Sequence, residues 1–182
     1  MKDTQFLDNY EVLLEEGLVK LCKGAGLLRE GILESPDITG KWDSYIKDYT
    51  ADAVENFNTY PEAAISWAGF LGMGVAHGWD FDWEKIKDVP YSSYYGSRGW
   101  DDMDEHVLKD ILGLEEGSDE YRHLSDTLLS CALATLGLIR HEGIECCTEQ
   151  GFYVLTRSYT VLYRIGAAIE LERLGYRKKF IA

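Results

Sequence analysis

The stretch PEAAISWAGFLGMGVA, residues 61–76, is apolar around most of the helix that it predicts. A surface helix keeps one polar face, whereas a helix that is apolar on most sides must be enclosed by other elements. Small residues recur in this stretch at four-residue spacing and so share one helix face; they are Ala64, Ala68, Gly72 and Ala76. Such a row permits another backbone to approach closely, and we favour internal packing over self-association through it. We predict that residues 61–76 form the central helix of the fold.

Apolar residues recur at helical spacing on both sides of this central helix, and strand-like alternation is nowhere sustained. Residues typical of helix starts and stops divide the flanking sequence into further amphipathic helices, at about residues 6–24, 42–60, 101–113, 118–143 and 148–175. The predicted fold is therefore all-α, an antiparallel bundle of five to six helices with one long aromatic-rich connecting loop at about residues 77–100. We expect a single helical domain over residues 1–182.

The balance of charges restricts the classes of partner. The chain has 18 basic and 32 acidic residues, which gives a net charge of −14. Such a negative field repels phosphate backbones and anionic lipid headgroups, so we expect neither nucleic-acid nor membrane binding. The apolar residues 63–76 are also fewer than the ~20 that span a bilayer. A protein partner with a basic surface could use the dense acidic stretch at residues 101–120.

The cysteine pattern favours a reducing compartment. Cys22, Cys131, Cys146 and Cys147 form no Cys-x-x-Cys pair, and neighbouring cysteines rarely bridge to each other. The N-terminus lacks the layout of a secretory signal. We therefore expect reduced thiols in a cytoplasmic protein and no cofactor. A redox or nucleophilic role for Cys146 and Cys147 stays open, with an apolar packing role favoured.

One segment has an unusual composition. Residues 77–100 read HGWDFDWEKIKDVPYSSYYGSRGW and hold seven aromatic residues, among them three of the five tryptophans. The favoured interpretation is a lid whose rings pack back against the bundle. The alternatives are a protein interface, in which Trp, Tyr and Arg concentrate, and a small-ligand cleft with aromatic walls and a few polar groups. The candidate binding residues are His77, Trp79, Asp80, Asp82, Trp83, Tyr94, Tyr95, Arg98 and Trp100.

Two helical spacings suggest a metal site as a further alternative. Asp102 lies four residues before His106, and Glu120 lies three before His123, so each pair would share a helix face. A bundle di-iron centre needs two Glu-x-x-His motifs and two further glutamates, and the second motif is absent. Solvated surface histidines are the favoured interpretation.

No motif in the chain selects a catalytic mechanism. The leading hypothesis is a non-enzymatic cytoplasmic interaction module that is acidic and forms homo-oligomers or binds a basic partner. The alternatives are a ligand-binding protein or enzyme that uses an aromatic cleft around residues 77–100, and a metal-dependent hydrolase with Asp102, His106, Glu120 and His123.

Overall fold

The computed structural model describes residues 3–177, which form a bundle of helices without a β-strand in that range. Five long helices and one short helix follow in chain order. Their bounds are α1 (Thr4–Gly24), α2 (Pro36–Phe57), α3 (Pro61–Ile86), α4 (Met103–Glu105), α5 (Asp119–His141) and α6 (Glu149–Arg173). The all-α prediction is confirmed. No helix within the described range has both the length and the apolar character needed to cross a bilayer.

The long helices alternate in direction along the chain. Tyr49 of α2 donates to the carbonyl of Ala64 near the start of α3, whereas Tyr45 donates to the carbonyl of Val89 beyond the end of α3. The helices α2 and α3 are therefore antiparallel. Because five long helices alternate, α3 and α6 run in the same direction, and they meet at the centre of the bundle.

Glycines bring the backbones of α3 and α6 into contact. A Cβ atom on Gly166 would lie 1.8 Å from the carbonyl oxygen of Gly69, and one on Gly72 would lie 2.1 Å from that of Tyr163. No side chain fits into either gap. The internal packing predicted for the small-residue row of α3 is therefore confirmed at Gly72, and Gly69 and Gly166 add a second crossing point that the row did not include.

An aromatic layer fills the space between α2 and α6. The Trp42 and Tyr163 rings stack with centroids 4.7 Å apart, and Tyr49 meets Tyr159 edge to face at 5.4 Å. Such ring pairs add about 0.5–1.5 kcal/mol each beyond the burial of their area. The Trp42 indole also donates to the Thr160 hydroxyl at 3.0 Å, so its polar atom is satisfied inside the layer.

The connecting loop is shorter than the predicted residues 77–100. Helix α3 continues to Ile86, interrupted only by a non-helical residue, Asp82. Neither proline nor glycine follows Gly78 before Pro90, and the helix runs past His77 as far as the interruption at Asp82. The Ile86 side chain lies over Gly78, with its Cγ2 atom 2.9 Å from where a Cβ would stand. The true connection holds 3₁₀ turns at Tyr91–Tyr94 and Trp100–Asp102, and a π-helical turn at His106–Ile111 follows α4.

Candidate functional site

The nine candidate residues of the aromatic segment contact different parts of the bundle in separate groups. The first group lies on α3 beside the end of α6. His77 Nδ1 is 2.7 Å from the Glu170 carboxylate, whose side chain is 0% exposed. The Trp79 indole donates to Asp37 at 3.0 Å, and Asp80 accepts from the Tyr176 hydroxyl at 2.6 Å. These residues tie α3 to its neighbours.

Two more candidates surround the interruption of α3. Asp82 makes an ion pair of 3.6 Å with Lys85, and Trp83 is partly buried against the core. Their contacts are local. Phe81, immediately before Asp82, is 79% exposed.

Tyr94 and Tyr95 belong to a second group that faces α2. Tyr94 is buried and its ring contacts that of Tyr45 at 5.9 Å, while the Tyr95 hydroxyl donates to Asp52. Burial raises the pKa of Tyr94 to about 12. Burial, followed by the hydrogen bond to Asp52, raises the pKa of Tyr95 to about 12 as well. Both phenols stay protonated at neutral pH and act as anchors of the segment.

Arg98 and Trp100 form the third group. Arg98 contacts the buried Asp102 carboxylate through Nε and Nη2 at 2.8–3.1 Å, and this bond holds the pKa of Asp102 below its ordinary value. The Trp100 ring lies 5.9 Å from that of Trp67, whose indole donates to the Trp100 carbonyl at 2.8 Å. The rings of Tyr94, Tyr95 and Trp100 therefore pack against the bundle, as the lid interpretation describes, whereas the exposed Phe81 ring does not.

The four residues of the suggested metal site lie apart. Asp102 pairs with Arg98, His106 with Asp110 at 2.9 Å, Glu120 with Arg173 at 3.1 Å, and His123 bonds the Ala25 carbonyl at 2.8 Å. Across residues 3–177 no group of three or more His, Cys, Asp or Glu side chains is arranged to hold a metal ion. Each of the four side chains therefore has a partner outside the suggested ligand set.

The adjacent thiols sit just before α6. Cys147 is exposed and Cys146 is half-buried, and the hydroxyl of the next residue, Thr148, accepts from the Gly151 amide at 3.0 Å to cap the helix. Burial raises the pKa of the Cys146 thiol above its ordinary value. A raised pKa lowers the fraction of thiolate and so opposes a nucleophilic role for Cys146.

A cleft of about 420 Å³ opens where α3, α4 and α5 meet. We call it the acid–aromatic cleft, because carboxylates and aromatic rings dominate its wall. The start of α3, the turn that leads into α4, α4 itself and the first half of α5 supply its residues. They are Tyr60, Glu62, Ala63, Ser66, Trp67, Phe70, Asp101, Asp104, Ser125 and Leu129.

Asp104 is the electrostatically unusual residue of this cleft. Burial raises its pKa from 3.8 to about 6, and the charge of Glu105 adds to the rise, whereas hydrogen bonds from backbone amides oppose it. Asp101 and Glu62 are two further acidic residues of the lining. A carboxylate kept partly out of water beside other acids is a place where a cation gains most.

Two hydrogen-bond donors of the cleft, the Ser66 hydroxyl and the Trp67 indole, already have partners within the protein. The Ser66 hydroxyl donates to the Glu62 carbonyl at 2.7 Å, and the Trp67 indole N–H is used by Trp100. The Trp67 and Phe70 rings stand at 90° with centroids 5.5 Å apart, so they form a corner. The cleft thus combines acceptors and ring surface, which suits a cationic donor.

Exposed apolar residues border the cleft. Tyr60 is 53% exposed and Leu129 is 41% exposed, and both line its edge. Leu133 follows Leu129 by one helical turn on α5 and is 54% exposed. Together they extend the cleft into an apolar strip, and such a strip beside polar groups is typical of a protein contact.

The ionised Asp104 carboxylate should lower the free energy of unfolding at neutral pH. Its folded-state pKa of about 6 lies above the ordinary 3.8, so between these pH values the folded protein holds a proton that the unfolded chain releases, and stability falls as pH rises. We expect Asp104→Asn to raise the free energy of unfolding at pH 7 by about 2 kcal/mol and to have little effect below pH ~4, in urea denaturation at both pH values.

The matched control is Asp101→Asn, which changes an exposed acid of the same cleft. Its effect should stay within about 0.5 kcal/mol. A loss of stability on Asp104→Asn at pH 7 would contradict the burial argument.

Comparisons with known proteins add no functional information to this geometry. No family model matches the chain, and neither the curated proteins nor the solved structures include a significant match.

Proposed function

We propose that the protein is a non-enzymatic interaction module whose acid–aromatic cleft receives a lysine or arginine side chain of a protein partner. The observation that carries the proposal is that three acidic residues and an aromatic corner line one open cleft, where burial has raised the pKa of Asp104 to about 6. A cation entering the cleft restores the ionised form of that carboxylate.

The physical gain comes from two sources. A cation near Asp104 interacts in a partly desolvated site, where Coulomb attraction is stronger than in water. A cation over the face of an aromatic ring gains about 0.5–2 kcal/mol more. Arginine and lysine side chains also place apolar methylene groups against ring surfaces, which fits the partly exposed Trp67 ring.

A protein partner is favoured over a small ligand by the border of the cleft. The apolar strip of Tyr60, Leu129 and Leu133 gives a partner a place for apolar side chains beside the basic one. The net charge of −14 attracts a basic partner over a longer range. A catalytic alternative finds little support in the cleft, because the Ser66 hydroxyl is engaged with a backbone carbonyl and no histidine or cysteine lines the wall.

Labelled peptides test the proposal. Four fluorescein-labelled peptides with Leu-rich flanks and a central Lys, Arg, Gln or Glu are titrated with the protein by fluorescence anisotropy. We expect binding of the Lys and Arg peptides only, and loss of affinity by at least ~10-fold in Glu62→Gln/Asp101→Asn/Asp104→Asn, corresponding to about 1.4 kcal/mol. Binding should weaken as pH falls through about 6, because Asp104 then takes up a proton.

The control variant removes the same amount of charge elsewhere. Glu16→Gln/Asp43→Asn/Glu55→Gln changes three exposed acids on α1 and α2, which supply no lining residue. It should keep most of the affinity. Equal weakening in both triple variants, or no difference between the Lys and Gln peptides, would reject the cleft as the binding site.

A further inference from the structure

The chain itself contains a segment with the composition that the cleft would select. Residues 177–181 read Arg-Lys-Lys-Phe-Ile, three cations followed by two large apolar residues. We call them the basic stretch; only Arg177 lies within the described residues. Three cations match the carboxylates of Glu62, Asp101 and Asp104, and the apolar pair matches the strip beside them.

Two other arginines already form ion pairs within the bundle. Arg157 bonds Asp8 and Glu11 at 2.8 and 2.6 Å, and Arg164 bonds Glu15 and Glu34 at 3.0 and 2.5 Å. Each of these guanidinium groups joins two helices or a helix and a loop of its own chain. The basic stretch is the densest run of cations in the sequence, which makes it the strongest match to an acidic cleft.

The basic stretch begins well away from Glu62, the cleft carboxylate on α3. The Tyr176 hydroxyl donates to Asp80 at 2.6 Å, so the stretch begins beside the second half of α3. Glu62 lies eighteen positions before Asp80 on that helix, which corresponds to about 27 Å at the helical rise. Lys179 lies three positions after Tyr176, and three extended residues span only about 10 Å.

We propose that the basic stretch of one copy occupies the acid–aromatic cleft of a second copy. This inference rests on the proposed function, and it names the partner as the protein itself. The two surfaces differ, so the contact is head-to-tail: it leaves one free cleft and one free stretch on a pair of molecules, and further copies can add.

A peptide and two variants test this. The labelled peptide Tyr-Arg-Lys-Lys-Phe-Ile, residues 176–181, is titrated with the full chain. The control is a charge-reversed peptide in which both lysines are replaced by glutamate. We expect binding of the first only, reduced at least ~10-fold by the cleft triple variant Glu62→Gln/Asp101→Asn/Asp104→Asn. Light scattering after size exclusion should show concentration-dependent association of the unaltered protein.

A mixing experiment separates the two halves of the contact. The variant Lys178→Glu/Lys179→Glu loses the charge of the basic stretch and keeps the cleft. The cleft triple variant keeps the basic stretch and loses the acidic cleft. Each variant alone should remain monomeric, and an equimolar mixture should give a one-to-one complex and nothing larger. Circular dichroism confirms that both variants fold.

The outcomes distinguish this inference from the proposed function. A monomeric protein that ignores the 176–181 peptide but binds the Lys and Arg test peptides through the cleft would overturn self-association and leave a different basic partner. A protein that binds none of these peptides would overturn both. Self-association that survives in both variants would place the contact on another surface and overturn the inference.

Discussion

Replacing Gly166 with alanine should destabilise the protein by about 3 kcal/mol or more, as measured by urea denaturation. The new Cβ would lie 1.8 Å from the Gly69 carbonyl oxygen and 2.6 Å from its carbon. Both atoms belong to the α3 backbone, which cannot rotate away as a flexible side chain would. The two central helices must separate along their contact, so packing on either side is lost as well.

The matched control is the same substitution on another long helix. Gly137 lies inside α5 with no atom within 4 Å of its added Cβ. There alanine should stabilise the protein by about 0.5–1 kcal/mol through its better helix propensity. Equal responses at the two glycines would show that α3 and α6 are not in backbone contact.

Replacing Arg173 with methionine should cost about 3 kcal/mol, because it removes the strongest partner of a buried charge. The Glu170 side chain is 0% exposed and accepts bonds from Arg173 Nε at 2.5 Å and Nη2 at 3.0 Å. His77 remains at 2.7 Å as a second partner. Without the guanidinium group, the Glu170 carboxylate stays out of water but loses most of the hydrogen bonds and charge attraction that offset its desolvation.

Arg122→Met provides the control for this substitution. Arg122 pairs with Asp119 at 3.1 Å, but the two side chains are 65% and 103% exposed. An exposed pair contributes between ~0 and 1 kcal/mol. The double variant Glu170→Gln/Arg173→Met should recover part of the loss, since it removes the buried charge itself. If Arg173→Met has no larger effect than Arg122→Met, Glu170 does not depend on Arg173.

The sequence was informative about the helices because their signals are local. Apolar spacing predicted α3 and its enclosed position, and Ser118 and Thr148 cap α5 and α6 as their positions before each apolar stripe predicted. The end of α3 was misjudged, since the many rings after His77 favoured a loop. The chain leaves the helical path only at Asp82, and the turn after it folds back so that Ile86 lies over Gly78, an arrangement that local spacing does not encode.

The cleft could not be predicted in the same way, because its residues are distant in sequence. Glu62 and Trp67 begin α3, whereas Asp101 and Asp104 follow a long connection. Only the fold brings these segments together, and Asp104 is buried because α4 packs against α3 there. The one sequence signal was the dense acidic stretch at residues 101–120, which pointed to a cationic partner without saying which acids would share a cavity.

Carbon-13 NMR of the Asp104 side-chain carboxyl, followed against pH with and without the lysine test peptide, addresses the central claim most directly. We expect a titration midpoint at about 6 in the free protein. The bound peptide should move that midpoint downward, because its cation stabilises the ionised carboxylate. A midpoint near the ordinary 3.8 in the free protein, unchanged by the peptide, would contradict the account.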